Sequence, residues 1–143
     1  MKNELEISTD KKRLNVRLVH QFLCEQSYWA KGIPFAIVQR SIQSSLCFGA
    51  YLNGAQVGFA RVISDFATFA NLVDVFILPE YRGKGYAKAL VQTIMIHPDL
   101  QGLRRFTLAT SDAHGLYRQF GFSNLIKPET FMERYVPNIY GSE

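Results

Sequence analysis

Residues 74–90 read DVFILPEYRGKGYAKAL, and the order of residue types in this stretch decides the fold class. It continues an apolar run, LVDVFIL at residues 72–78, whose length and β-branched content predict a central strand buried on both faces. Pro79 cannot donate to a strand ladder and stops the run. A basic turn punctuated by Gly83 and Gly85 follows. Helical spacing then holds from Tyr86 to about Ile96, with Pro98 just beyond. A buried strand that passes through a glycine-rich turn into a helix is a unit of layered α/β architecture.

The flanking segments supply the rest of such a layer. Residues 46–52 and 56–64 are rich in β-forming side chains, and the Asn53-Gly54 dipeptide between them is a strong hairpin signal. Upstream, residues 4–8 read as a short strand, and Leu14, Leu18, Val19, Phe22 and Leu23 recur at the spacing of an amphipathic helix. Residues 28–32 break it, and Pro34 suits the first turn of a second helix carrying Ile37, Val38 and Ile42 on one face. Downstream, residues 104–110 predict a strand, 113–120 a short helix and 131–136 (FMERYV) a final strand. One domain over residues 1–143 is expected.

Composition bounds the function classes. Apolar residues make up 48% of the chain and charged residues 20%, near soluble-globular averages, and no apolar run approaches the ~20 residues of a membrane span. No membrane association is expected. The first residues, MKNELEISTDKK, lack the apolar core of a secretion signal. Cys24 and Cys47 offer neither a disulfide framework nor metal-ligand spacing, so a cytoplasmic protein without a metal is expected. The net charge of +4 is scattered in ones and twos, without the basic stripe or aromatic-interleaved platform of a nucleic-acid binder. A polyanionic small ligand accounts for it equally well.

Within residues 74–90, Arg82, Gly85 and Ala87 match the acetyl-CoA-binding signature of the GNAT superfamily: an Arg or Gln, two residues, Gly, one residue, then Gly or Ala. The family's usual strand and Pro-Glu-Tyr precede it. A second segment, LYRQFGF at residues 116–122, is similar to the GNAT segment after the fifth strand, where a helix carries a Tyr and ends at Gly-Phe. The chain therefore resembles a small, single-domain, bacterial-type GNAT N-acetyltransferase over most of its length. The resemblance implies an α/β (layered α+β) fold with a central mixed, mostly antiparallel sheet flanked by helices. It implies acetyl-CoA as donor and a primary amine as acceptor, attacking directly in a ternary complex. A Walker A loop and a Rossmann fingerprint both fail on glycine spacing. The helix start supports an anion site on physical grounds, because its first N–H groups lack intrahelical partners and carry the positive end of the dipole.

By this resemblance the backbone of Phe76, Ile77 and Leu78 holds the pantetheine arm, which requires the strand to splay from its neighbour. Arg82, Gly83, Lys84, Gly85, Tyr86, Ala87 and Lys88 hold the pyrophosphate. Many members place an Asn where this chain has Thr110, so Thr110, Ser111 or Asp112 takes over that contact. Tyr117 matches the frequent general acid; the alternative is a core tyrosine beside Phe120 and Phe122. Asp74, an acid inside an apolar strand, is the leading base, acting through water; the alternatives are a pair with Arg61, a cap on a neighbouring loop, or a surface position. His114, one turn before Tyr117, competes as base and is a candidate cofactor contact. Tyr28 and Trp29 wall the acceptor pocket, against ordinary surface packing. The acceptor is a small-molecule or protein amine, the protein a monomer or homodimer, with no nucleic-acid partner. A non-catalytic acyl-CoA-binding module is the second reading.

Overall fold

The computed structural model describes residues 4–141. Its centre is the hairpin that joins β2 (Leu46–Leu52) to β3 (Ala55–Ser64). Asn53 and Gly54 turn it with φ of 51° and 83°, the positive values a two-residue primed turn demands. β1 (Glu6–Ser8), β4 (Phe69–Ile77) and β5 (Arg105–Leu108) complete a five-stranded sheet in the order β1-β2-β3-β4-β5. All neighbours are antiparallel except β4 and β5, which are parallel and joined through α3 (Tyr86–Met95). The sheet is therefore mixed and mostly antiparallel, as the resemblance implies.

Alternation along the strands feeds two cores. On one face Cys47, Phe59 and Phe76 pack with Val19, Phe22 and Leu23 of α1 (Val16–Glu25) and Val38 and Ile42 of α2 (Phe35–Gln43). On the other face Phe48, Ala60 and Val62 pack with Leu90, Val91 and Ile94 of α3 and with Tyr117 of α4 (His114–Arg118). Phe48 and Phe59 are fully buried, each worth about 1.5–3 kcal/mol of apolar transfer. Asn15 caps α1 by accepting the Leu18 N–H at 3.1 Å. The rings of Phe22 and Phe76, 4.0 Å apart and stacked, dock α1 onto β4.

β4 departs from the simple strand expected at residues 72–78. It starts earlier, at Phe69, and carries a bulge: Phe59 faces Phe76 and Arg61 faces Val73, so three steps on β4 oppose two on β3. Asp74, within the bulge, has φ 57°, a conformation that Asp tolerates better than its β-branched neighbours. The bulge reverses the alternation: Leu72 belongs to the α3 core and Phe76 to the α1/α2 core. Val73, Asp74 and Val75 are only half-buried, which corrects the both-faces expectation. The β4–β5 ladder runs from Phe69/Arg105 to Leu72/Leu108 and stops there, so the rest of β4 parts from β5. Residues 131–136, expected as a strand, belong to no strand or helix; FMERYV has strand-forming side chains but joins no ladder among the described residues, although the outer edge of β5 is free.

Candidate active site

The parting of β4 from β5 opens a cleft of about 850 Å³. Residues 71–77 form one wall and the β5–α4 connection the facing one. The glycine turn and the start of α3 close one end, and Tyr28 and Trp29 lie at the other side.

Gly83 and Gly85 have φ of 79° and 81°, where a side chain is strained. A Cβ built on either would meet no protein atom within 4 Å, so conformation, not packing, requires these glycines, and open space lies above them. Gly85 is the N-cap of α3 and offers no side-chain cap. The N–H groups of Tyr86, Ala87 and Lys88 consequently lack an acceptor among the described residues. Uncapped donors at a helix start, bare of Cβ bulk, fit a pyrophosphate. Arg82 Nε donates to the Ile77 carbonyl at 2.9 Å, bracing the turn against the strand end. Lys88 lines the cleft; Lys84 is exposed and does not.

The three strand residues divide. The Leu78 N–H donates to the Val57 carbonyl at 2.8 Å, and the Leu78 carbonyl accepts from Tyr81 at 2.9 Å. Its backbone is used and it does not line the cleft, whereas Phe76 and Ile77 do. Because successive amides alternate sides, Ile77 turns its N–H away from β3, to the side β5 has vacated. Its carbonyl is held by Arg82, so the N–H is the group offered to a ligand.

Tyr117 is 7% exposed and lines the same cleft. Burial, reinforced by Tyr28 and Asp112 nearby, pushes its phenol up to about 12. The group is protonated at neutral pH, and its hydroxyl has no hydrogen-bond partner among the described residues. Its ring meets Phe122 edge-on at 6.0 Å, so the core reading and the site reading describe two ends of one side chain.

Asp74 also lies in the cleft wall. Its Oδ2 accepts from Arg61 Nε at 2.9 Å, in an ion pair exposed by only 16% and 10%, and its Oδ1 accepts from Trp29 Nε1 at 2.8 Å. Arg61 in turn donates to Ser45 Oγ at 3.0 Å. Among the alternatives left open by the sequence, the pairing with Arg61 is therefore present. Tyr28, edge-on to Trp29 at 4.9 Å, spans the cleft: its hydroxyl accepts the Ser111 N–H at 3.0 Å. No local pattern could have announced a bond between residues so far apart in sequence.

Thr110 lines the cleft, and its hydroxyl accepts the Ala113 N–H at 3.1 Å, which shapes the turn into α4. His114 is not brought into this cleft; it is exposed and lines a second one, along the outer edge of β5. Sharing a helix face with Tyr117 does not bring it in, because Tyr117 alone of the two lies where the clefts meet. Cys47 is buried, and burial pushes its thiol up to about 11, the signature of packing instead of nucleophilic use. Among the described residues no cluster of three His, Cys, Asp or Glu could hold a metal, and no helix is long and apolar enough to cross a membrane.

Comparison with known proteins agrees with this geometry. The family model for the acetyltransferase (GNAT) domain matches residues 43–124. A protein of Gibberella zeae, named for acetyltransferase activity, is 34% identical over 133 residues, covering 78% of this chain and 74% of its own. A crystal structure from Xanthomonas campestris pv. campestris, described as belonging to the GNAT family, is 57% identical, covers 99% of this chain and 100% of that one, and superposes with a TM-score of 0.96. An aminoglycoside N-acetyltransferase solved with CoA shares the fold at 20% identity and a TM-score of 0.60, over 95% of this chain and 94% of that one. The wedge between β4 and β5, the uncapped α3 and these relatives agree: the chain is an acyl-CoA-dependent N-acetyltransferase and belongs to the GNAT family.

Proposed function

We propose that this protein transfers the acetyl group of acetyl-CoA to a primary amine by direct attack within a ternary complex, and that residues 1–143 act as one catalytic domain. The observation that carries the reading is a single cleft in which the parted strands, the uncapped start of α3 and the protonated Tyr117 converge. Coenzyme A supplies the activated thioester. Tyr86, Ala87 and Lys88 N–H groups with Arg82 and Lys88 side chains hold its pyrophosphate, and the Ile77 N–H orients the arm that carries the thioester.

Tyr117, kept protonated by its burial, donates the proton that the departing thiolate requires. Asp74, with an oxygen on each of Trp29 and Arg61, holds the acceptor wall in place. Each oxygen keeps a further lone pair, so as a base it acts through a bridging water. Tyr28 and Trp29 frame the acceptor, a small-molecule amine or a protein amine.

The test is a calorimetric titration with acetyl-CoA, with desacetyl-CoA and ATP as controls. Saturable binding of both CoA compounds and none of ATP is expected, followed by thiol release with members of an amine panel. A well-folded protein that binds neither CoA compound would overturn the reading.

A further inference from the structure

The helices α1 and α2 leave part of their own sheet face uncovered. On β3, Phe59 enters the α1/α2 core while Ala60 and Val62 enter the α3 core, so Arg61 and Ile63 share the face of Phe59. On β4, Ala70 and Leu72 belong to the α3 core, which sets Phe69, Asn71 and Val73 on that same face. The ladders place Ile63 opposite Asn71 and, on β5, Thr107 opposite Asn71 and Arg105 opposite Phe69. α2 ends at Gln43, and Ser45 just beyond it accepts from Arg61 at 3.0 Å. Past that contact the face opens: Ile63 and Phe69 are 45% and 41% exposed.

This open strip is continuous with the acetyl-transfer cleft. Asn71, Val73 and Asp74 line the cleft, and from Asp74 back along β4 to Phe69 is roughly 16 Å at ~3.3 Å per residue. The far end is firmly built. Asp65 Oδ1 accepts the Phe69 N–H at 3.1 Å, and Ser64 Oγ donates to the Phe69 carbonyl at 2.8 Å, so the half-exposed ring stands on a backbone fixed from both sides. The same turn holds Phe66 at φ 62° and 50% exposed, a backbone conformation uncommon for a bulky residue and concentrated at functional sites. Charge is graded along the strip. Arg105, beside Phe69, lies over the Phe131 ring at 4.9 Å and enters no ion pair among the described residues. Asp65 already accepts from three backbone N–H groups and the Thr68 hydroxyl. At the near end Asp74 is bonded to Arg61 and Trp29. The strip thus offers apolar side chains, an unpaired cation at its far end, and two carboxylates that are both already bonded.

We propose that the acceptor is a small primary amine borne on an apolar chain that ends in an anionic group. Its amine meets the thioester beside Asp74, its chain lies along Val73, Ile63 and the Phe69 ring, and its anion pairs with Arg105. The assignment names the acceptor of the site described above and rests on the acetyl-transfer reading of it. Phe69 and Arg105 determine specificity at a distance from the reacting atoms, so what they contribute falls on KM and not on kcat. A chain ending in a second ammonium meets Arg105 as a like charge and is disfavoured.

Thiol release from acetyl-CoA should be followed with ω-aminooctanoate, octylamine and octanediamine, and with propylamine as the short reference. ω-Aminooctanoate should exceed propylamine in kcat/KM by about tenfold or more, the gain lying in KM; octylamine should fall between them, and octanediamine below octylamine. Phe69→Ser should bring octylamine down to the level of propylamine, and Arg105→Gln should abolish the advantage of ω-aminooctanoate over octylamine, both with unchanged propylamine kinetics. If Phe69→Ser fails to fold, Arg105→Gln and the ranking on the unaltered chain decide. The same order is expected in calorimetric Kd values of the amines for protein saturated with desacetyl-CoA, which need no turnover. A chain that binds no CoA compound sinks the acetyl-transfer reading. One that binds CoA yet shows equal KM and Kd for propylamine and ω-aminooctanoate, or prefers octanediamine, overturns the acceptor assignment alone.

Discussion

At the scale of single residues the proposed chemistry turns on Tyr117. Replacing it with Phe keeps the ring against Phe122 and removes only the proton, so kcat should fall by about 10²-fold or more while acetyl-CoA affinity, read by calorimetry, stays within a factor of two or so. Unchanged kcat would remove Tyr117 from the acid role. Burial raises its folded-state ionisation to about 12, above the unfolded value of ~10. The neutral phenol's contribution is thus complete below pH ~10 and is lost as pH climbs through 12. Activity should therefore show no loss from this group across the neutral range, with any Tyr117-dependent decline confined to strongly alkaline pH and absent from the Phe variant. Gly85→Glu should weaken acetyl-CoA binding at least tenfold in the same titration, since it forces a side chain into φ 81° and sets a negative charge on the anion site. At Asp74, Asn keeps an oxygen for Trp29 and loses the carboxylate, whereas Ala loses both. If the residue's first duty is positioning, Asp74→Ala should raise the KM for amine and destabilise by about 3 kcal/mol, with Asp74→Asn milder in both. Equal loss of kcat in the two variants would instead mark the base.

Among the elements, the bulge of β4 does most to create the cleft, because it re-aims the strand where β5 leaves it. Gly58 lies opposite: a Cβ there would come within 2.6 Å of Ile77 Cδ1 and 3.0 Å of the Phe76 carbonyl oxygen. Gly58→Ala should therefore push on the strand end, costing about 1–3 kcal/mol as overpacking does, which a thermal melt would register as a drop of several degrees. The β2–β3 hairpin and α3 were legible in the sequence because local chemistry specifies them: Asn53-Gly54 fixes the turn, and Pro79, Gly85 and Pro98 bracket the helix. The bulge left one readable trace, an Asp among β-branched residues where a left-handed conformation is tolerated, yet its effect on alternation emerges only from pairing with β3. The glycine turn and uncapped helix start from Arg82 to Lys88, the proposed cofactor end, could be read locally, since one turn builds them. Its acceptor side could not, because the Trp29–Asp74 and Tyr28–Ser111 bonds join distant segments. Residues 131–136 misled for a related reason: strand propensity states that a segment can pair, not that it docks on an available edge such as that of β5.

For the whole molecule, two cores on opposite faces of one sheet leave the wedge as the place where a ligand can touch both halves. Acetyl-CoA bound there should raise the melting temperature by mass action, about 2.7 kcal/mol at a hundredfold excess over Kd, and Gly85→Glu should lose most of that shift. The Tyr28–Ser111 bond adds a kinetic consequence. It turns an open groove into a loop with a clasp, since one end belongs to the α1–α2 connection and the other to the β5–α4 connection. If the acceptor enters beneath this clasp, a bulky amine has to undo a hydrogen bond worth about 0.5–1.5 kcal/mol that a slender one can leave in place. Tyr28→Phe would leave the aromatic wall standing with the clasp cut, and should speed the entry and exit of bulky acceptors while leaving slender ones nearly untouched.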